Sequence, residues 1–244
     1  STEFTEITVT FREQPRNDFN FAPAIGCFGD ETTISYMGNM GGNADAVFHW
    51  DFAGGFAQMP NDNVGPHVVN WVDAGVHGVS LWIENLGCVS EPKVVSIPNP
   101  ELLVIDSISV VNDPCFHSNQ GSARVVHHGG TEPMTYSWDA PGRDLFNIGA
   151  GSYTLTITDA NGCQAEQSFA LTEPSQIIIQ TIDYTNLSCY ASHDGTISVF
   201  AGGGTGDLHY MWSDVGFADA NRINMPAGEY YLTVVDDMNC TEEA

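Results

Sequence analysis

The sequence predicts an all-β protein, a tandem array of small Ig-like β-sandwich modules. Three observations carry this: a cysteine–tryptophan spacing that occurs three times, period-two apolar alternation between turn residues, and the absence of any long helical pattern.

The spacing comes first. Cys27 precedes Trp50 by 23 residues, Cys115 precedes Trp138 by 23, and Cys189 precedes Trp212 by 23. A Gly-Gly pair lies nine and eight residues before each tryptophan (Gly41-Gly42, Gly129-Gly130, Gly203-Gly204), and an aromatic lies two before it (Phe48, Tyr136, Tyr210). Each segment reads as a strand leaving a glycine turn, with alternate aromatics on one face. A second block follows in each copy: Ala74-Gly75-Val76-His77, Ala150-Gly151-Ser152-Tyr153 and Ala227-Gly228-Glu229-Tyr230. Apolar residues then alternate (Val79 and Leu81, Leu155 and Ile157, Leu232 and Val234), which is the pattern of a half-buried strand. A cysteine closes the block 12 or 13 residues after its glycine. His77 stands where the other copies have Tyr153 and Tyr230, so it is expected to pack or hydrogen-bond as they do.

Proline-bearing segments mark the boundaries, at Gln14-Pro15, Pro98-Asn99-Pro100 and Glu173-Pro174. The expected organisation is residues 1–15 as the terminal strand of a preceding module with its linker, 16–98, 101–173, and 176–244 as a module lacking its last strand. Residues 3–12 alternate like a closing strand, so the chain is expected to be a window on a longer array; the alternative is a strand donated to the third module of a neighbouring molecule. The modules are expected end to end, since short proline linkers and self-repulsion oppose compaction.

Composition excludes several classes. The chain carries 6 Lys+Arg against 31 Asp+Glu, a net charge of −25. The basic residues are scattered singly, so neither nucleic acid nor an anionic membrane surface is an expected partner. No run of 18 apolar residues occurs, so no membrane insertion is expected.

Six cysteines recur at matching places, which favours disulfides over buried free thiols and implies an oxidising, extracellular compartment. The expected pairing is within modules: Cys27 with Cys88, Cys115 with Cys163, and Cys189 with Cys240. Each would contribute about 4 kcal/mol in the chain-entropy model. No C-x-x-C, G-x-S-x-G or H-E-x-x-H occurs. His127-His128 would point to opposite faces of a strand, and Gly202-Gly203-Gly204 lacks the lysine of a phosphate loop. The chain is therefore expected not to be an enzyme and to require no cofactor. Calcium is the one candidate cofactor, with Asp159, Asn161, Asp236 and Asp237 as candidate ligands and Asn239 or the pair Asp139 and Asp144 as further oxygens. Turn chemistry explains the same Asp and Asn residues more simply.

Module one, with Trp50-Asp51-Phe52-Ala53-Gly54-Gly55, Gly65-Pro66-His67 and Asn85-Leu86-Gly87-Cys88, resembles a PKD-type β-sandwich of secreted Bacteroidota proteins. Modules two and three, with Gly129-Gly130, Tyr136-Ser137-Trp138 and Thr158-Asp159-Ala160-Asn161-Gly162-Cys163, resemble SprB-type repeats. The resemblance implies a long cell-surface adhesin exported by the type IX route and, in gliding bacteria, moved along the surface. It also implies a short O-glycosylation pattern at Asp106-Ser107-Ile108. Expected partners are neighbouring modules or subunits and a surface polysaccharide or substratum. The alternative function is a carbohydrate-binding accessory region of a large secreted hydrolase.

Overall fold

The computed structural model describes residues 13–23, 26–40, 45–58, 64–138 and 142–244, and every regular element among them is a β-strand. The first module supplies β1 (Phe19–Ala22), β2 (Thr32–Tyr36), β3 (Val47–Asp51), β4 (Phe56–Gln58), β5 (His67–Asn70), β6 (Gly75–Asn85), β7 (Cys88–Val89) and β8 (Lys93–Asn99). The second supplies β9 (Val104–Val111), β10 (Gly121–His128), β11 (Thr135–Ser137), β12 (Leu145–Ile148), β13 (Gly151–Thr158) and β14 (Gln164–Leu171). The third supplies β15 (Ile178–Thr185), β16 (Gly195–Gly202), β17 (His209–Trp212), β18 (Gly216–Ala218), β19 (Asn221–Met225), β20 (Leu232–Val235) and β21 (Thr241–Glu243).

Each module is two small sheets. Module one pairs them as β1-β2-β5-β4 and β3-β6-β7 with β8 also on β6; module two as β12-β10-β9 and β11-β13-β14; module three as β15-β16-β19 and β18-β17-β20-β21. Trp50 lies in β3 and Trp212 in β17, as the spacing predicts, whereas Trp138 stands one residue past the end of β11. Two details correct the sequence reading. Module three does carry a last strand, because β21 pairs antiparallel with β20 through Thr241 to Glu243. Pro98 does not stop β8, since this strand pairs only with β6 and its missing N–H faces no partner. The proposed terminal strand at residues 3–12 and the Gly41-Gly42 pair lie outside the described residues.

Contacts sort the chain into two compact units that do not follow the module boundaries. The first is the chain up to Val104 together with His127–Thr135 and Ile157–Ala165. Its core alternates along β6, where Val79, Leu81 and Ile83 point inward against Ile34 and Val69 of the facing sheet. Each such fully buried aliphatic contributes roughly 1.5–3 kcal/mol. His67 is fully buried, edge-on to Trp50 and Phe52 with ring centroids at 4.9 and 5.2 Å. The segments from module two belong here because Gly129-Gly130 docks on the segment just before β9. The Gly130 N–H donates to the Glu101 carbonyl at 3.0 Å.

The second unit comprises Ile105–Val126, Tyr136–Thr156 and Glu166–Ala244, with Ile177, Val199, Trp212, Leu232 and Val234 as its core in module three. The glycine turn repeats there, the Gly204 N–H donating to the Ser175 carbonyl at 2.9 Å. Gly203 has φ 97°, and a Cβ on it would lie 1.9 Å from the Gln176 carbonyl oxygen. Gly203→Ala should therefore destabilise module three by more than about 1 kcal/mol, read as a lowered melting temperature. The three residues after the Ala-Gly turns also share one role. His77 Nε2 lies 3.2 Å from the Asp73 carbonyl, Tyr153 donates to Gly149 at 2.8 Å and Tyr230 to Pro226 at 2.7 Å, each reaching back four residues. His77 further stacks on Trp71 at 4.8 Å.

Candidate functional site: two kinds of cysteine loop

The first cysteine of every module opens the same turn. Cys27-Phe28-Gly29-Asp30, Cys115-Phe116-His117-Ser118 and Cys189-Tyr190-Ala191-Ser192 each place an aromatic second and a left-handed residue third, with φ of 75°, 52° and 64°. The fourth residue's N–H donates to the cysteine carbonyl at 3.0, 3.2 and 3.1 Å. A nearby carboxylate braces each turn. Asp30 accepts the Cys27 N–H at 2.7 Å. Asp113, 3% exposed, accepts from the Ser118 hydroxyl and the Asn119 and Gln120 N–H groups. Desolvation pushes its pKa up, but these hydrogen bonds together outweigh it and hold the group below the usual carboxylate range.

Asp194 accepts from the Ser188 N–H and the Ser192 hydroxyl, and hydrogen bonds from Ser188 and then Ser192 lower its pKa to about 2. Because the folded pKa is depressed, this bracing is complete above the ordinary value of about 3.9 and is lost as pH falls towards 2. The amide shift of Ser188 should report the loss in that window by NMR.

The second cysteine of modules two and three sits in a loop organised by a buried aspartate. Asp159, 5% exposed, accepts the Asn161 and Cys163 N–H groups on Oδ1 at 2.9 and 2.8 Å and the Thr131 N–H on Oδ2 at 2.9 Å. Asp236, 2% exposed, accepts the Met238 and Cys240 N–H groups on Oδ1, both at 2.9 Å, and the Thr205 N–H on Oδ2 at 2.7 Å. The candidate calcium ligands thus have turn work to do. Asn161 donates its side chain to Thr131 at 3.0 Å, and Asp237 turns away from Asp236 to accept from the Asp207 N–H and face His209 at 3.1 Å. Asp144 accepts the Val125 N–H at 3.0 Å, and Asp139 lies outside the described residues. No group of three or more His, Cys, Asp or Glu that could hold a metal occurs among the described residues. In module one the loop is instead a two-residue hairpin, Leu86-Gly87, with φ of 50° and 79°.

The expected pairing within modules is overturned. Cys27 bonds Cys163 and Cys115 bonds Cys240, each with Cα atoms 5.6 Å apart, while Cys88 and Cys189 are free and exposed. The reason is visible in module three. The Cys189 turn lies at the end where Gly195 pairs with Met225, before β20 begins. Cys240 lies beyond the opposite end of β20, beside the glycine turn that follows β16. The eight residues of β16 span about 26 Å at ~3.3 Å each, and a disulfide needs Cα atoms within about 7 Å. A module's two cysteines sit at opposite poles, so each bridge joins the first cysteine of one module to the second cysteine of the next.

The sequence reading missed the aromatic beside each first cysteine, although Phe28, Phe116 and Tyr190 repeat in register. His127 is half-buried and His128 exposed, as expected for neighbours on one strand, and Ser107 is exposed on β9.

Fold and loops together define a tandem β-sandwich protein with disulfides between successive modules. Residues 181–217, within the third module, match the family model of the SprB repeat. No curated protein matches the chain. Among solved structures, the three N-terminal domains of the bacteriophage RB49 highly immunogenic outer capsid protein (Hoc) align at 11% identity, TM-score 0.36, over 94% of each chain. Extracellular domains 3–5 of Drosophila OTK align at 11% identity, TM-score 0.27, over 96% of this chain and 98% of theirs.

Proposed function

We propose that the chain is a structural and adhesive segment of a long extracellular surface array, in which sandwiches joined by disulfides set length and carry tension. The bridges between successive modules carry this reading, because a covalent link from module to module resists separation where a bridge within one sandwich would not. Disulfides favour an oxidising compartment, and the SprB-type repeat favours a cell-surface adhesin. Export by the type IX route and carriage along a gliding cell's surface extend the same reading. Deleting the parent gene should remove surface filaments and reduce attachment to glass or polysaccharide; normal attachment and gliding after deletion would overturn it.

The reading needs no catalysis and no cofactor. Purified protein should hydrolyse no glycan, and its melting temperature should not change between excess calcium and chelator, since a ligand bound only by the folded state would raise it.

The accessory carbohydrate-binding reading draws on one observation. Phe146 and Phe200 are exposed (56% and 63%) on corresponding sheets of modules two and three, and the Arg124 guanidinium lies 6.0 Å from the Phe146 ring centroid. A glycan array with the chain and its F146A/F200A variant tests it: aromatic-dependent binding would favour this second reading.

A further inference from the structure

We infer that Cys189 and Cys88 are the two complementary ends of a disulfide register that runs from module to module. Cys189 is the receptor for the second cysteine of a following module, and Cys88 the receptor for the first cysteine of a preceding one. A second copy of this chain carries both.

The register is set by the two bridges already closed, which obey one rule: first cysteine to the second cysteine one module on. Applied to the remaining positions, the rule gives Cys189 and Cys88 opposite roles rather than interchangeable ones. Cys189 sits in the turn that Cys27 and Cys115 occupy, with the same hydrogen bond from the fourth residue to the cysteine carbonyl. Cys88 follows β6 as Cys163 follows β13 and Cys240 follows β20.

The aromatic beside the first cysteine supplies a separate observation. Phe28 is half-buried and Phe116 is 39% exposed, next to bridges that are closed. Phe116 lines a cavity with Pro174, Ile177 and Cys240, at the end of module three that its bridge reaches. Tyr190, at the open position, is 103% exposed. The cysteines behave alike: Cys163 and Cys240 are half-buried, Cys88 exposed. The partner is therefore another module of this plan, whose second-cysteine loop would cover Tyr190 while its thiol meets Cys189.

Closing the bond removes two protons and two electrons, which oxidised glutathione accepts: two protein thiols and one glutathione disulfide become one protein disulfide and two glutathione thiols. The inference deepens the array reading and rests on it for the recurrence of modules. Cross-linking in vitro and attachment of cells are separate measurements, so either can fail alone.

Two complementary variants test it. C88S keeps only Cys189 free, and C189S keeps only Cys88; both serines replace exposed thiols that bond nothing, and peptide mapping verifies that Cys27–Cys163 and Cys115–Cys240 remain. With oxidised glutathione, each variant alone should stay monomeric on a non-reducing gel, and their mixture should shift to a dimer mapped as Cys189 to Cys88. Wild-type chain should form a head-to-tail ladder. Equal dimerisation of each variant alone, no dimer in the mixture, or an internal Cys88–Cys189 bond in the wild type would overturn the inference. Tyr190→Ser in the Cys189 partner should slow dimer formation, whereas Phe200→Ser should not.

Discussion

Reducing both disulfides should lengthen the fully extended chain by roughly 545–595 Å, because the shortest covalent path crosses from Cys27 to Cys163, runs back to Cys115 and crosses to Cys240, bypassing about 165 residues at ~3.3–3.6 Å each. Single-molecule pulling between the termini measures this. The overlap of the two bridges makes the single variants informative. If Cys163→Ser opens the first bridge, tension passes to Cys115–Cys240 alone, which bypasses 125 residues instead of about 165, so the gain is about 130–145 Å. Cys240→Ser leaves only Cys27–Cys163, which bypasses 136 residues instead of about 165, so the gain is about 95–105 Å. Bridges confined to single modules would behave otherwise, each releasing its own loop independently. A stepwise, additive lengthening in the two variants would refute the observed pairing. In equilibrium unfolding, closing a loop of this size contributes about 5 kcal/mol in the chain-entropy model, so reduction should also lower the unfolding midpoint substantially.

Most of the architecture was legible in the sequence because the signals are local. Trp50, Trp138 and Trp212 lie two residues after an aromatic and leave a glycine turn, and period-two alternation fixes which of those side chains face the core. The bonding partners were not legible by the same route. Matching positions in every repeat imply that each cysteine has an equivalent environment, but an environment shared by repeats is satisfied equally by a partner within the module or in the next one. Strand direction decides: in module three the five strands β16 to β20 separate Cys189 from Cys240 and leave them at opposite poles. The role of Asp236 was half legible. Asp-x-x-Asn-Cys marks a turn, whereas the distant Thr205 N–H that its Oδ2 accepts comes from the folded glycine turn and has no signature near residue 236. The last strand was missed because three residues, Thr241 to Glu243, are too few and too polar to show a period.

Asp236→Ala should cost about 3 kcal/mol or more in urea unfolding, a large share of a small module's stability. The carboxylate accepts three backbone N–H groups from Thr205, Met238 and Cys240 in a site where it is 2% exposed. Alanine removes all three acceptors at once, and each N–H left without a partner away from water costs ~1–3 kcal/mol, part of which rehydration recovers. Asp236→Asn separates shape from hydrogen bonding: its oxygen can still accept from Met238 and Cys240, but its amide then presents a donor to the Thr205 N–H, so an intermediate loss is expected. Asp237→Ala is the control, since that side chain is half exposed and its loss should stay within about 0.5 kcal/mol. The same carboxylate also positions the Cys240 backbone for its bond to Cys115. Oxidative refolding of Asp236→Ala should therefore leave more Cys115 as a glutathione adduct, read by mass spectrometry. Unchanged stability together with unchanged yield of the Cys115–Cys240 bond would show that the loop holds its shape without the aspartate.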